Sequence, residues 1–109
     1  MAYDEGHATL MREDLQDIDG ISEKKMFGGL CFLHHGNMVC GVHKGGGMAR
    51  VGKTREAEAL QIEGVDPLSF TGRKMGGMVD LSEDLLGDDD LRAKVIALAL
   101  TNAQSLPPK

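Results

Sequence analysis

The sequence predicts a two-layer α+β fold, an antiparallel β-meander sheet packed with an N-terminal and a C-terminal helix. Three observations predict it. A helical apolar stripe stands near the start, short glycine-separated apolar runs fill the middle, and a long apolar helical pattern closes the chain. A chain of 109 residues closes one hydrophobic core and not two, so residues 1–109 form a single domain.

Met11, Leu15 and Ile18 stand at i, i+4 and i+7 with Ala8 below them. That stripe places an amphipathic helix from near Asp4 to before Gly20. From Ile21 the period changes, and Leu30 to His34, Met38 to His43 and Met48 to Val51 read as strands. His35-Gly36 sits where a two-residue hairpin loop belongs, with Gly36 tolerating positive φ. That turn pairs residues whose numbers sum to 71, so Leu33 faces Met38 and Cys31 faces Cys40. Gly45-Gly46-Gly47 makes the next turn.

Thr54 to Ile62 reads as a short helix with Thr54 at its N-cap, broken by Gly64 to Pro67. Phe70 to Met78 contains Gly72, Gly76 and Gly77, and reads as a strand with bends or as a strand and a loop. Asp88, Asp89 and Asp90 open the final helix, where acids suit the positive end of the helix dipole. It runs through Leu91, Val95, Leu98 and Ala99, with Ile96 and Leu100 on a second face. One sheet face would not cover so much apolar surface, which points to burial under a loop or to a homodimer.

Composition narrows the function classes. Apolar residues make up 41% and charged residues 27%, the balance of a globular chain. Seven Met stand against three Phe, one Tyr and no Trp, which predicts an adaptable core or contact surface and no aromatic platform for single-stranded nucleic acid. The first residues lack the basic and apolar stretches of a signal peptide, and Val95 to Leu100 is far too short to span a bilayer. Two cysteines do not make a secreted disulfide scaffold, so the expected location is the cytoplasm.

The net charge of −5 disfavours non-specific binding to nucleic acid. The segment from Lys24 to Lys74 nevertheless carries eight bases against four acids, a charge of +4, which leaves −9 on the two ends. A basic sheet between acidic helices and plain solvation of each element both account for this pattern.

Gly47-Met48-Ala49-Arg50-Val51-Gly52-Lys53-Thr54 fits the phosphate-loop pattern, in which backbone amides cradle phosphates, the Lys reaches the outer ones and the hydroxyl binds magnesium. Three features oppose a nucleotide site. A meander leaves little room for crossover helices, Met78-Val79-Asp80 is a weak magnesium partner, and Met48 to Val51 itself reads as a strand. For Cys31 and Cys40 no third metal ligand falls on their side: His34 points to the opposite face, His35 lies in the loop and His43 at the far end. No metal and no cofactor is therefore expected. The two cysteines read as buried core thiols or as a cross-strand redox pair. No catalytic constellation stands out, and the carboxylates crowd the helix starts, so the expectation is a protein that is not an enzyme.

Lys24-Lys25-Met26-Phe27-Gly28-Gly29, Gly36-Asn37-Met38 leading to Cys40-Gly41-Val42, Arg50-Val51-Gly52, Phe70-Thr71-Gly72-Arg73 and the ending Ser105 to Lys109 occur in this order. The ordered set resembles the N-terminal domain of the TfoX/Sxy regulators of bacterial competence. The resemblance covers essentially the whole chain. It implies an antiparallel sheet flanked by helices, with the region around Lys53 leaving the sheet instead of cradling phosphate. Full-length family members, which carry a further helical domain, act in transcription by assisting the cyclic-AMP receptor protein. The resemblance thus implies a binding module that contacts a protein and possibly DNA. Lys24, Lys25, Arg50, Arg73 and Lys74 are its candidate contacts, through ion pairs to an acidic surface or to phosphate. A nucleotide-binding protein using Gly47 to Thr54, or a chaperone-like dimer, are the alternatives.

Overall fold

A computed structural model describes residues 3–26, 28–70 and 73–108. The elements, in chain order, are α1 (Glu5–Asp14), β1 (Ile21–Met26), β2 (Gly29–His34), β3 (Asn37–His43), β4 (Gly46–Arg50), α2 (Glu56–Leu60), β5 (Val65–Phe70), β6 (Arg73–Leu81), α3 (Glu83–Leu86) and α4 (Asp89–Ser105). The strands form one six-stranded sheet in the order β1-β2-β3-β4-β6-β5, every pair antiparallel. This is the α+β architecture that the sequence predicts. It departs from a simple meander at β4, whose outer neighbour is β6, while β5 folds back to the far edge.

Helix ends follow their capping residues. Asp4 accepts from the amides of Gly6 and His7, Ser82 from Leu85, and Asp88 from Asp90 and Leu91, which satisfies amides that lack helical partners. Helix α1 stops at Asp14, earlier than the stripe suggests, yet Leu15 stays buried in the turn that follows. A helix of ten residues is marginal alone. Ala8, Met11 and Leu15 fix it to the core, and each fully buried Met or Leu contributes about 1.5–3 kcal/mol.

The sheet has two unlike faces. On one, Leu30, Phe32, Cys40, Val42, Ala49, Val79 and Leu81 pack against α1, α3 and α4, with Val95, Ile96, Ala99 and Ala103 of α4 inside the same core. On the other, among the described residues, Cys31, Met38, Met48, Leu68 and Met78 form a second, smaller cluster, with Leu33 at its margin and no helix residue in it. Leu91, Leu98 and Leu100 of α4 also pack on the main core, so the apolar excess of this helix is accounted for within one chain.

Two expectations need correction. The His35-Gly36 turn forms as predicted, with φ of 47° and 86°, and Leu33 faces Met38. Beyond it a bulge at Val39 shifts the register, so that Phe32 faces Cys40 and Cys31 faces Gly41. One extra residue turns the rest of β3 over, and Cys31 and Cys40 therefore lie on opposite faces of the sheet. The cross-strand redox pair is excluded by this geometry. In the second case the Thr54 to Ile62 helix shrinks to Glu56–Leu60, with Arg55 and not Thr54 at its N-cap position.

Candidate functional site

Register places the predicted cations. Lys24 and Lys25 are both exposed on β1, an outer strand of the sheet. Lys24 pairs with Cys31 and Lys25 with Leu30, so Lys24 stands on the face of the methionine cluster and Lys25 on the face of the helices. Arg50 ends β4 opposite Met78, on the same face as Lys24. Three strand spacings separate β1 from β4, about 14 Å across the sheet. Arg73 and Lys74 begin β6, paired with Phe70 and Ser69. Their side chains lie outside the described residues, as do Phe27, Thr71 and Gly72 of the sequence motifs.

Among the described residues Lys24, Lys25 and Arg50 have no ion-pair partner, whereas Arg12 and Arg92 are engaged. Arg12 grips Glu23 of β1 through two hydrogen bonds of 2.7 and 2.9 Å, and the guanidinium holds the Glu23 carboxyl below its ordinary range. Acids share the Lys24 face: Asp80 of β6 lies between Met48 and Asp66 in the cross-strand register. Asp80 Oδ1 is 2.7 Å from Nε2 of His43, whose Nδ1 is 2.8 Å from the Lys44 carbonyl oxygen. Sequence reading passed over this His43–Asp80 bridge, because the two residues stand 37 positions apart and only the sheet order joins them.

The phosphate-loop match takes another shape. Gly47 to Arg50 lie in β4, between β3 and β6, so their amides belong to the ladder or to its pleat and do not curl into a cradle. A Cβ on Gly47 would lie 2.8 Å from the Gly41 carbonyl oxygen and 3.1 Å from Leu86, which leaves a close backbone approach as the work of that glycine. Lys53 lies over β6, its Cε 3.2 Å from where a Cβ on Gly76 would stand. Glu56 of α2 accepts a hydrogen bond of 2.9 Å from the Gly77 amide, tying this corner down.

Burial pushes the Cys31 thiol up to about 11, and burial, then Cys31 and Asp14, raise that of Cys40 further. Both cysteines are free thiols held in the protonated, unreactive form. Among the described residues no group of three or more His, Cys, Asp or Glu side chains is arranged to hold a metal ion. A cavity of about 330 Å³ between β5 and the starts of α3 and α4 is lined by Glu63, Ser82, Asp84, Leu85, Asp88 and Leu91. Ser82 and Asp88 spend their oxygens on helix caps there. Among the described residues no helix is long and apolar enough to cross a membrane.

A protein-family model described as the TfoX N-terminal domain matches residues 13–103, from the last residues of α1 to the last turns of α4. No curated protein matches the chain. No solved structure matches it either.

Proposed function

The chain belongs to the TfoX N-terminal domain family, and from that premise we propose that it is a non-enzymatic binding module of transcription control. Its contacts run through the cations of the sheet to an acidic protein surface. The observation that carries this reading is the pair Lys24-Lys25 on the outer strand, exposed and without an ion-pair partner among the described residues. Arg50 stands on the Lys24 face, half-buried and likewise without an ion-pair partner among the described residues. Arg73 and Lys74 at the start of β6 complete the proposed set.

A protein partner is favoured over DNA by charge geometry. Lys24 and Lys25 point to opposite faces, Asp66 and Asp80 share the Lys24 face, and the whole chain carries −5. Duplex DNA rewards a continuous basic stripe that tracks phosphates, and this arrangement interrupts one. A folded acidic partner instead meets local positive spots with its own local negative ones. The cytoplasm is the setting this reading assumes, and two free thiols on opposite faces suit it.

The test is affinity for the cyclic-AMP receptor protein, the partner that the family resemblance names, with charge-reversal variants. The double variant Lys24→Glu with Lys25→Glu is expected to weaken binding at least tenfold at low salt, through the lost attraction and the new repulsion. Binding that is unchanged in this variant, or absent from the parent protein, contradicts the proposal.

A further inference from the structure

Strand β1 has one free backbone edge, and the register fixes which groups stand on it. Ile21 pairs with His34, and the His35 amide donates to the Gly20 carbonyl oxygen at 3.0 Å. Gly20 and His35 are thus a hydrogen-bonded pair, and in an antiparallel ladder such pairs alternate with pairs that exchange no bond. Ser22, Lys24 and Met26, opposite Leu33, Cys31 and Gly29, therefore turn their amides and carbonyls toward β2. Ile21, Glu23 and Lys25 turn theirs outward. Among the described residues no strand lies beyond them and no loop or turn bond meets them. Ser22, Glu23, Lys24 and Lys25 are all exposed.

Resting on the reading of Lys24 and Lys25 as contacts for an acidic protein, we infer that this edge receives an extended acidic segment of that partner as a further strand. The added strand runs antiparallel to β1, like every other pair in the sheet. The division of the two lysines between faces carries the inference. Lys24 stands on the methionine face and Lys25 on the helix face, so a flat acidic surface laid on either face meets only one of them. Successive residues of a strand also alternate between faces, so two consecutive acids on an added strand meet both. Glu23 does not oppose them, because Arg12 already grips its carboxylate through two hydrogen bonds.

The same lysines select against other occupants. Exposed Lys blunts an edge against uncharged strands, whereas acids opposite it make attractive cross-strand pairs. A second copy of the chain fits less well. Pairing two β1 strands about a twofold axis through their middle sets either Glu23 or Lys24 directly opposite its own copy, and like charges in that position repel. Next to Ile21, which packs on the main core, the added strand gains from an apolar residue.

The experiment is amide hydrogen exchange on the full chain at low salt, with and without the capped peptide Thr-Glu-Glu-Thr-Thr-Val-Thr. Saturating peptide is expected to slow exchange about tenfold or more at Ile21, Glu23 and Lys25, and to leave Ser22 and Lys24 as they were. Glu23→Pro removes one outward amide at an edge position that tolerates proline, and should weaken peptide binding about tenfold. Glu23→Gln keeps that amide and should bind as the parent does; circular dichroism checks that both variants keep the sheet. Peptide binding that leaves the three amides exchanging freely, or that survives Glu23→Pro, overturns strand addition and leaves the charge-based reading of the lysines standing. A peptide that does not bind overturns strand addition as well. The charge-based reading falls with it only when binding of the cyclic-AMP receptor protein is also indifferent to reversal of Lys24 and Lys25.

Discussion

Arg92 joins three helices with one side chain. From the first turn of α4 it donates to Asp14 Oδ2 at 2.6 Å, to the Leu86 carbonyl oxygen at 2.7 Å and to Asp89 Oδ1 at 2.9 Å, while only 4% exposed. A buried charge of this kind is tolerable because four of the five N–H donors of its planar fork are met, two of them by Asp14. Arg92→Met keeps the bulk and removes the charge, stranding Asp14 and the Leu86 carbonyl. We expect a loss of about 3 kcal/mol, read as a lower urea midpoint at unchanged slope. Glu23→Gln breaks the exposed pair with Arg12 instead and should cost less than about 1 kcal/mol.

Cys31 makes a pH prediction at the same scale. Its thiol is raised by burial from an ordinary value near 9.0 to about 11, so the folded state holds the proton more tightly than the unfolded one. Stability from this group is complete below pH 9 and is lost as the pH rises through 11. The loss is at most about 2–3 kcal/mol, and Cys31→Ala removes that part of the alkaline slope in a denaturation series. A variant that melts with the parent's pH dependence would contradict this assignment.

At the scale of elements, β4 is held by what its glycines lack. Gly47→Ala would set a methyl 2.8 Å from the Gly41 carbonyl oxygen, and the strands must separate to admit it. A loss of about 1–3 kcal/mol is expected, equal with and without magnesium ATP, in thermal melts. A loss that appears only with the nucleotide would restore the phosphate-loop reading.

Legibility in the sequence also differs by element. Strands β2, β3 and β4 and helix α4 were readable because apolar runs, the His35-Gly36 turn and the Asp88 cap mark them. Strand β1 was not, because an outer strand keeps Ser22, Glu23, Lys24 and Lys25 in water and loses its alternation. Strand β5 contains Pro67, which reads as a breaker and is admitted here by an edge position next to a bulge. The bulge at Val39 was invisible for another reason. Met38 to Val42 is buried on both faces, so periodicity carries no sign of which residue points where. The candidate cations were legible as residues, but their division between two faces is a property of register alone.

For the whole molecule the account rests on charge placed by the fold. The acids of α1, α3 and α4 lie on one side of the sheet, while Lys24 and Arg50 stand on the other among methionines. Partner binding through such contacts should weaken as salt rises, since exposed charges are screened within about 8–10 Å at 0.1–0.15 M. Reversing Arg50 should add to the effect of reversing Lys24, because three strand spacings separate them and neither neighbours the other.

The most direct measurement is an amide chemical-shift titration of the labelled protein at low salt, once with the cyclic-AMP receptor protein and once with a short DNA duplex. The account predicts shifts at Lys24, Lys25 and Arg50 with the protein partner, fading as salt is added, and a spectrum unmoved by the duplex. Shifts produced by DNA alone, or shifts confined to the helices, would contradict it.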